Sequence, residues 1–385
     1  MAKKKRNKKV NQLNPFDFIL FITVIVLISL GIIMVLSASS PTSLATTGSS
    51  YTYVYKQLIS AIIGIVLMLI ISRIDYRHYG KFYKIIYMIS IGILLLVIIP
   101  GVGRTVNGAR RWINIPLFSS VQPSEITKLG LIICIAMYLT QNKNNLKHIW
   151  IGFFKPIIIY IGIPVMILLV VQSHFSASMV ICAVLAIMMI VAGSRLIHFF
   201  TCGSIGAGGL LGVMYIAAKF FDKGSFRLTR ITAFLDPWAD KQGSGWQIIQ
   251  SLYAIGSGGL FGVGLGKSKQ KYLYISEPHN DFIFAVLAEE LGFVGCALVI
   301  SLFAIFIWRG VVIAMKAPDM FGSLLAIGIT ALIGLQAIIN IAVVTSSMPV
   351  TGIALPFFSY GGTSLIILLC AVGILLNISR QTKKI

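Results

Sequence analysis

Residues 16–36 read FDFILFITVIVLISLGIIMVL, an apolar run interrupted by a single acid near its start. A helix needs about 20 apolar residues to cross the hydrocarbon core of a bilayer. The run follows a basic start, MAKKKRNKKV, and precedes Ser37-Ala38-Ser39, which resembles a signal-peptide cleavage site. Because the apolar part of a signal peptide is only about 7–15 residues long, we interpret residues 16–36 as an uncleaved first membrane helix.

Similar apolar runs recur to the end of the chain. Apolar residues make up 57% of the 385 positions and charged residues 11%, whereas soluble domains carry about 25% charged residues. The sequence therefore predicts one all-α polytopic membrane domain. The ten predicted spans are residues 16–37, 56–72, 83–100, 124–140, 156–172, 176–193, 199–219, 282–307, 321–344 and 361–377.

Basic residues set the predicted orientation. The net charge is +21, and Lys and Arg of membrane proteins concentrate in cytoplasmic loops. Counting ten spans from a cytoplasmic N-terminus places each of the following basic stretches on the cytoplasmic side: Arg73–Lys84, Lys143–Lys155, Arg195–His198, Arg309–Lys316 and Arg380–Lys384. We therefore predict a basic cytoplasmic tail at 1–15, a membrane domain at 16–379 and a second cytoplasmic tail at 380–385. The basic start also suits anionic membrane lipid.

The longest predicted connection, residues 220–281, joins helices seven and eight on the extracytoplasmic side. It carries seven Lys or Arg residues and five acids. Long loops cross a membrane regardless of charge, which is one explanation of this basic external loop. The other is an extracytoplasmic substrate that carries phosphate or carboxylate groups.

Three other kinds of site are disfavoured. The five cysteines lie in apolar segments without a CxxC spacing, so neither a disulfide framework nor a zinc site is indicated. The glycine-rich stretch 256–268 does not fit a nucleotide loop, because Phe261 and Lys267 stand where glycines are required. No nucleic-acid-binding fold accompanies the positive charge, so we expect neither nucleotide nor nucleic acid.

The stretch Gln122–Lys128, QPSEITK, opens the predicted fourth helix. Proline is favoured in a first helical turn, and an acid three residues before a base stabilises a helix. Ionisable groups at membrane depth are costly and are candidates for function. Glu125 and Lys128 are thus either a structural ion pair at the helix entry or part of a site.

The stretch Ser276–Phe284, SEPHNDFIF, leads into the predicted eighth helix. Asp281 could simply cap that helix, because anions are favoured at helix N-termini. However, Glu277 and His279 are beside it, and Glu289 follows about 12 Å further along at 1.5 Å per residue. These acids exceed what a cap requires, so we interpret Asp281, Glu277 and His279 as candidate site residues.

The stretch Met348–Gly362, MPVTGIALPFFSYGG, precedes the last predicted span. Its Pro, Gly and hydroxyl residues predict a re-entrant or irregular segment. Such backbone is tolerated at membrane depth only where protein or a wet cavity satisfies it. Ser359 is the candidate site residue of this stretch.

Together with NGARRWI at Asn107–Ile113 and GIIMVLSASS at Gly31–Ser40, these stretches resemble the shape, elongation, division and sporulation (SEDS) family along the whole chain. The motif ALPFFSYGGTS is more similar to the division and sporulation branch, FtsW and SpoVE, than to RodA. Two positions depart from the family. The common Q/E-P-D-x-G-T reads QSHFSA at Gln172–Ala177, which puts any role of that loop in doubt, and Asn280 stands where Thr is common.

The resemblance implies a peptidoglycan glycosyltransferase that transfers lipid II disaccharide units and releases undecaprenyl diphosphate. The site would face the outside of the bacterial cytoplasmic membrane and serve cell division or cell shape. The essential Asp of the family corresponds to Asp281, as the base acting on the acceptor. The implied partners are a class B penicillin-binding protein and other divisome or elongasome membrane proteins.

The chemistry of this reaction requires positive charge, because a diphosphate leaves as an anion. The candidate cations are Arg110, Arg111 and Lys128, with Mg²⁺ or Mn²⁺ as a candidate cofactor. Glu125 would orient Lys128, and Glu277 would tune Asp281 or hold the metal. Two other functions stay open: a lipid II flippase or other transporter, whose charges should lie nearer the bilayer midplane than Asp281 does, and a scaffold that needs no acidic site.

Overall fold

The computed structural model describes residues 15–106, 109–115, 118–201, 233–243, 245–272 and 274–382. Most of these residues lie in helices. The elements are α1 (Phe18–Thr47), α2 (Thr52–Ile71), α3 (Arg77–Lys81), α4 (Tyr83–Leu96), β1 (Gly103–Val106), β2 (Ala109–Ile115), β3 (Phe118–Val121), α5 (Pro123–Gln141), α6 (Ile163–Val170), α7 (Phe175–Ala192), α8 (Trp246–Gly258), α9 (Ile283–Lys316), α10 (Met320–Val344) and α11 (Gly362–Arg380). Two π-helical turns, Trp150–Phe154 and Ile157–Gly162, precede α6.

Eight segments of the described chain are long and apolar enough to cross a membrane. They are α1, α2, α5, the segment Trp150–Val170 that ends with α6, α7, α9, α10 and α11. The predicted third span corresponds to α4, which is a shorter apolar helix. The predicted seventh span, 199–219, and the predicted N-terminal tail lie almost entirely outside the described residues, and the C-terminal tail is described only as far as residue 382. A multi-pass membrane protein is therefore established, and the count of ten stays a prediction.

Several helices differ in length from the prediction. The first one continues past Pro41 to Thr47, where the left-handed Gly48 ends it. Helix α9 extends to Lys316, so the basic stretch predicted as a loop at Arg309–Lys316 belongs to its last turns. The predicted loop 220–281 contains α8. Apolar periodicity does not mark such ends, because helices run beyond the hydrocarbon core wherever other elements cover them.

The prediction of an all-α fold is wrong in one place. Strands β1, β2 and β3 form an antiparallel sheet in chain order between α4 and α5. The dipeptide Asn107-Gly108 follows β1 in the sequence, and Asn-Gly favours two-residue hairpin turns. The prediction of the fold did not use this turn signal; the stretch entered only through its two arginines and the family motif.

The start and the end of the described chain meet at one end of the helix bundle. The Asp17 carboxylate caps α1 and pairs with Arg309 of α9. The Asp17 N–H donates to the hydroxyl of Ser379, near the end of α11, at 3.0 Å. Nearby, the Tyr76 hydroxyl donates to Asp319, the N-cap of α10, at 2.6 Å. This arrangement agrees with the expectation that both termini lie on the same side of the membrane.

At the opposite end of α10 and α11, the chain is irregular from 345 to 361, and residues 355–359 of it are buried within the protein. Phe357 and Phe358 pack against Phe306 and Phe303 of α9. The Phe357 backbone approaches Gly31, near the middle of α1, so closely that no side chain would fit there. The segment therefore enters the bundle, as its Pro and Gly content predicts, and protein covers it.

Candidate functional site

Asp281 lies two residues before α9, on a short stretch of backbone fixed by three hydrogen bonds. The Tyr360 N–H donates to the carbonyl of His279 at 2.8 Å. The Ser359 hydroxyl donates to the carbonyl of Asn280 at 2.6 Å. The carbonyl of Asp281 itself accepts from the Asn340 side-chain amide at 2.7 Å. The irregular segment and α10 therefore hold the main chain that carries this carboxylate.

The Asp281 carboxylate is partly exposed and lies beside Gly352. Gly352 has a φ of +70°, and a Cβ built on it would lie 3.5 Å from Oδ2 of Asp281. A side chain here would be strained, and it would also cover one side of the carboxylate. Glycine thus leaves no side-chain atom of residue 352 beside the carboxylate.

His279 is buried in an aromatic cluster next to Asp281. Its ring lies 4.8 Å from the ring of Tyr53 and 5.7 Å from that of Tyr360. Burial lowers the pKa of His279, and the Glu277 carboxylate, 3.5 Å from Nε2, opposes that shift. The Glu277 side chain is mostly exposed and also accepts from the Asn280 amide at 2.8 Å. His279 and Glu277 therefore shape the turn that leads to Asp281.

Glu125 and Lys128 form the predicted ion pair in the first turn of α5. The Lys128 Nζ lies 2.6 Å from Oε1 of Glu125, and both side chains are buried. The neighbouring His174 is also buried. Burial lowers its pKa, and the positive charges of Arg111 and Lys128 lower it further. A basic cluster thus lies between the start of α5 and the start of α7.

Arg111 reaches this cluster from β2. Its guanidinium donates to the carbonyls of Gln172 at 3.1 Å and Ser173 at 2.6 Å, in the turn before α7. Those two residues belong to the stretch that departs from the family pattern. The Arg111 guanidinium therefore contacts the QSHFSA stretch directly.

Arg110 points to another place, because consecutive side chains of a strand project to opposite faces. Its guanidinium donates to the carbonyls of Ile98 at 3.2 Å and of Ile99 and Gly103 at 3.4 Å. Ile98 and Ile99 follow the end of α4, and Gly103 begins β1, so Arg110 joins the end of the helix to the sheet. The side chains of the two adjacent arginines thus contact different parts of the chain.

The irregular segment connects the basic cluster with Asp281. The Ser176 hydroxyl at the start of α7 donates to the carbonyl of Thr351. The next residue, Gly352, contacts Asp281. Four side-chain atoms of this region are buried without a hydrogen-bond partner in the described structure: Oγ of Ser124, Oε1 of Gln172, Nδ1 of His174 and Oγ1 of Thr351. Such orphaned polar groups are typical of sites that hold water or ligand.

Comparison with known proteins decides the family. The family model described as "Cell cycle protein", which groups FtsW, RodA and SpoVE, matches residues 17–384. Stage V sporulation protein E of Bacillus subtilis is 43% identical over 367 residues, covering 95% of this chain and 98% of that protein. The chain belongs to the SEDS family.

Other SEDS relatives carry names that state an activity. The probable peptidoglycan glycosyltransferase FtsW of Trichlorobacter lovleyi is 43% identical over 376 residues, covering 98% of this chain and 96% of that protein. Among solved structures, one described as a peptidoglycan synthase complex has 27% identity and a TM-score of 0.76 over 95% of this chain and 98% of that one. The rod shape determining protein RodA of Thermus thermophilus has 26% identity and a TM-score of 0.68 over 96% and 98%.

The sequence analysis missed residues that hold the SEDS site together. Asn340 was not singled out, although an amide within an apolar helix is a signal of a buried contact. Gln57 of α2 is the second case: its amide donates to the carbonyl of Ser359 at 3.3 Å and accepts from the Gly361 N–H at 3.2 Å. The Ser359 hydroxyl also accepts from the Leu355 N–H at 2.8 Å. A substrate contact of Ser359 stays a prediction, whereas its structural contacts are evident.

Glu289 and Glu290 are buried and pair with other groups of the protein. Glu289 accepts hydrogen bonds from the backbone N–H groups of Lys269 at 2.8 Å and Gln270 at 3.3 Å. Glu290 pairs with Lys271 at 2.9 Å. The chain just after the glycine-rich stretch 256–268 is therefore fixed to α9 by these two acids. Among the described residues, no group of three or more His, Cys, Asp or Glu side chains is arranged to hold a metal ion.

Proposed function

We propose that this chain is a peptidoglycan glycosyltransferase that polymerises lipid II on the outer face of the bacterial cytoplasmic membrane. The names of its FtsW relatives, at 38–43% identity over nearly the whole chain, support this activity. Membership of the SEDS family and its similarity to FtsW and SpoVE support a role in cell-wall synthesis during division or sporulation.

The observation that carries the proposal is the support of Asp281. Its backbone accepts hydrogen bonds from Asn340, its two preceding carbonyls accept from the irregular segment, and its carboxylate is partly exposed beside a glycine. A helix cap needs none of these contacts. A general base does need to be held rigidly and to stay accessible.

In the proposed mechanism, Asp281 takes the proton of the acceptor 4-hydroxyl. That oxygen bonds to the anomeric carbon of the donor, and the bond from this carbon to the diphosphate breaks on the opposite face. The configuration of the anomeric carbon inverts, and undecaprenyl diphosphate leaves as an anion. General-base help of this kind contributes roughly 10²–10⁴-fold to the rate.

The basic cluster supplies the charge that this leaving group requires. Lys128 and Arg111 lie on the other side of residues 351–352 from Asp281, and Glu125 orients Lys128. A Mg²⁺ or Mn²⁺ ion commonly binds one or two protein carboxylates together with substrate phosphates. Glu277 would provide a protein ligand for such an ion, which would neutralise charge on the diphosphate.

The proposed partner is a class B penicillin-binding protein, within a larger set of divisome or elongasome membrane proteins. Support comes from the solved peptidoglycan synthase complex, whose SEDS-like chain this protein resembles. Both termini are proposed to be cytoplasmic, with ten spans and the connection 220–281 outside. The lipid tail of the substrate accounts for a catalyst built from membrane helices.

The test uses the purified chain with its penicillin-binding partner and lipid II in detergent or vesicles. We expect glycan chains from the intact protein and none from Asp281→Asn. The control is Asp236→Asn, since Asp236 is an exposed loop acid whose carboxylate caps a short turn through the Trp238 N–H, and an asparagine can do the same. Full polymerisation by Asp281→Asn would overturn the assignment of the base.

The same samples discriminate the alternative of a lipid II flippase or transporter. Lipid II in sealed vesicles would cross the bilayer without being polymerised, and Asp281→Asn would not abolish polymer because none would form. A scaffold would bind the partner and show neither activity. Glycan synthesis that depends on Asp281 excludes both alternatives as the sole function.

A further inference from the structure

Asn340 is a buried amide in the last turns of α10, and its side chain is 1% exposed. Its Nδ2 donates to the carbonyl of Asp281 at 2.7 Å and to the carbonyl of Ile353 at 2.7 Å. The two N–H bonds of one amide group are thus both used, each on a residue outside any helix. Asn340 joins two irregular stretches that are 72 residues apart in the sequence.

These two carbonyls belong to the two sides of the proposed site. Asp281 carries the carboxylate, and Ile353 follows Gly352, the residue that faces that carboxylate. A planar amide fixes both acceptors at once, in one plane and at one separation. Asn340 therefore ties Asp281 directly to the residue after Gly352, in addition to the hydrogen bonds that Tyr360 and Ser359 make with the two preceding carbonyls.

The contact differs from an ordinary bond that stabilises the fold. An apolar residue at 340 would match most of α10. Burying an amide in an apolar helix is unfavourable unless its groups are paired, and its Oδ1 has no hydrogen-bond partner in the described structure. The placement thus favours the geometry of the site over local stability.

We propose that Asn340 is a positioning residue for the base Asp281, an inference that rests on the proposed function. It holds the Asp281 main chain against residues 352–353, and so aims the carboxylate at the acceptor hydroxyl. It touches neither substrate nor reacting atoms. Its loss affects turnover through Asp281 and leaves the binding of lipid II unchanged.

The test is Asn340→Asp, which keeps the shape of the side chain and replaces the donating amide with an oxygen. Misplacement of a catalytic group by about 1 Å costs about 100-fold in rate, so we expect kcat to fall roughly 10- to 100-fold. The KM for lipid II should stay within about twofold of wild type, because uniform binding is unaffected. The measurement is lipid II polymerisation by the complex with its penicillin-binding partner.

The matched control is Gln336→Glu, the same amide-to-acid change one turn earlier on α10. Gln336 is also buried, at 5% exposure, and its Oε1 has no partner in the described structure. We expect this variant to keep wild-type kcat. A second variant, Asn340→Ser, retains one hydroxyl donor in a smaller side chain and should lose less kcat than Asn340→Asp while keeping thermal stability.

A lowered kcat with unchanged KM and unchanged thermal stability separates positioning from a purely structural role, in which thermal stability falls together with activity. Unchanged kcat in both Asn340 variants, or an equal loss in Gln336→Glu, would overturn the inference. An intact complex that makes no glycan would instead overturn the proposed function, so the two failures are distinguishable.

Discussion

Gly352 shows how one residue without a side chain defines the space around a carboxylate. Its φ of +70° lies in the left-handed region, and its α-carbon faces Oδ2 of Asp281. The positive φ favours glycine, and this conformational preference alone is common in turns. The second fact ties the residue to the site.

We predict that Gly352→Ala lowers polymerase activity about 10-fold or more, because the backbone shifts to relieve its φ and the added methyl group, in van der Waals contact with Oδ2 of Asp281, moves with it. The matched control is Gly101→Ala. Gly101 has a φ of +86° and open space around its α-carbon, so it carries similar strain away from the site. Initial rates of glycan synthesis compare the two, and equal losses would show that strain alone accounts for the effect.

At the scale of elements, α9 is interrupted one-third of the way along its length. Gly292 has φ 64° and ψ −163°, outside the helical region. The N–H groups of Phe293 and Val294 donate to the carbonyls of Gly259 and Leu260. The freed donors of α9 are therefore satisfied by the chain that follows α8, which explains how a kink survives in a membrane helix.

The ion pair of Lys271 with Glu290 fixes the same junction to α1. The side chains of both residues are at most 3% exposed, and their charged groups contact the Ser37 hydroxyl of α1 at 3.0 Å and 2.6 Å. Removing one partner of a buried pair leaves the other charge without compensation, and this costs about 3–5 kcal/mol. Each of the two charges thus stabilises the protein only while the other is present.

We predict that Lys271→Met strongly lowers the thermal stability of the purified protein. The double variant Lys271→Met/Glu290→Gln should recover part of the loss, because it removes both charges. Lys267→Met, an exposed lysine of the same stretch, is the control and should unfold like wild type. Intrinsic fluorescence during heating measures this, and additive losses in the double variant would contradict the pairing.

At the scale of the whole molecule, the two ends of the bundle have different chemistry. One end joins the beginning of α1, the end of α9 and the end of α11 through Asp17, Arg309 and Ser379. The other end carries the sheet, the basic cluster and Asp281. The distribution of Lys and Arg predicts that the first end is cytoplasmic.

This orientation predicts a pattern of labelling by a membrane-impermeant maleimide. In a background without the five native cysteines, we expect Trp238→Cys to react in intact spheroplasts and Lys143→Cys to react only after permeabilisation. Both positions are exposed, so access alone decides the outcome. Labelling of Lys143→Cys from outside would reverse the proposed topology and place Asp281 on the cytoplasmic side.

The sequence by itself determined the class of fold. Hydrocarbon admits only backbone that is hydrogen-bonded within its own segment, so a membrane helix must appear as about 20 apolar residues in a row. The Glu125–Lys128 pair was predictable for a similar reason, because residues three apart in a helix lie on one face. The same holds for the irregular stretch at 348–362, whose Pro and Gly content marks it.

Only the tertiary structure decided which polar groups meet. Asp281 is joined to Asn340 and faces Gly352, 59 and 71 residues away in the sequence, and Arg110 and Arg111 separate because they lie on opposite faces of a strand that the prediction did not include. Side-chain periodicity describes which face of an element is apolar. It carries no record of the partners that hydrogen bonds and packing bring to that face from distant parts of the chain.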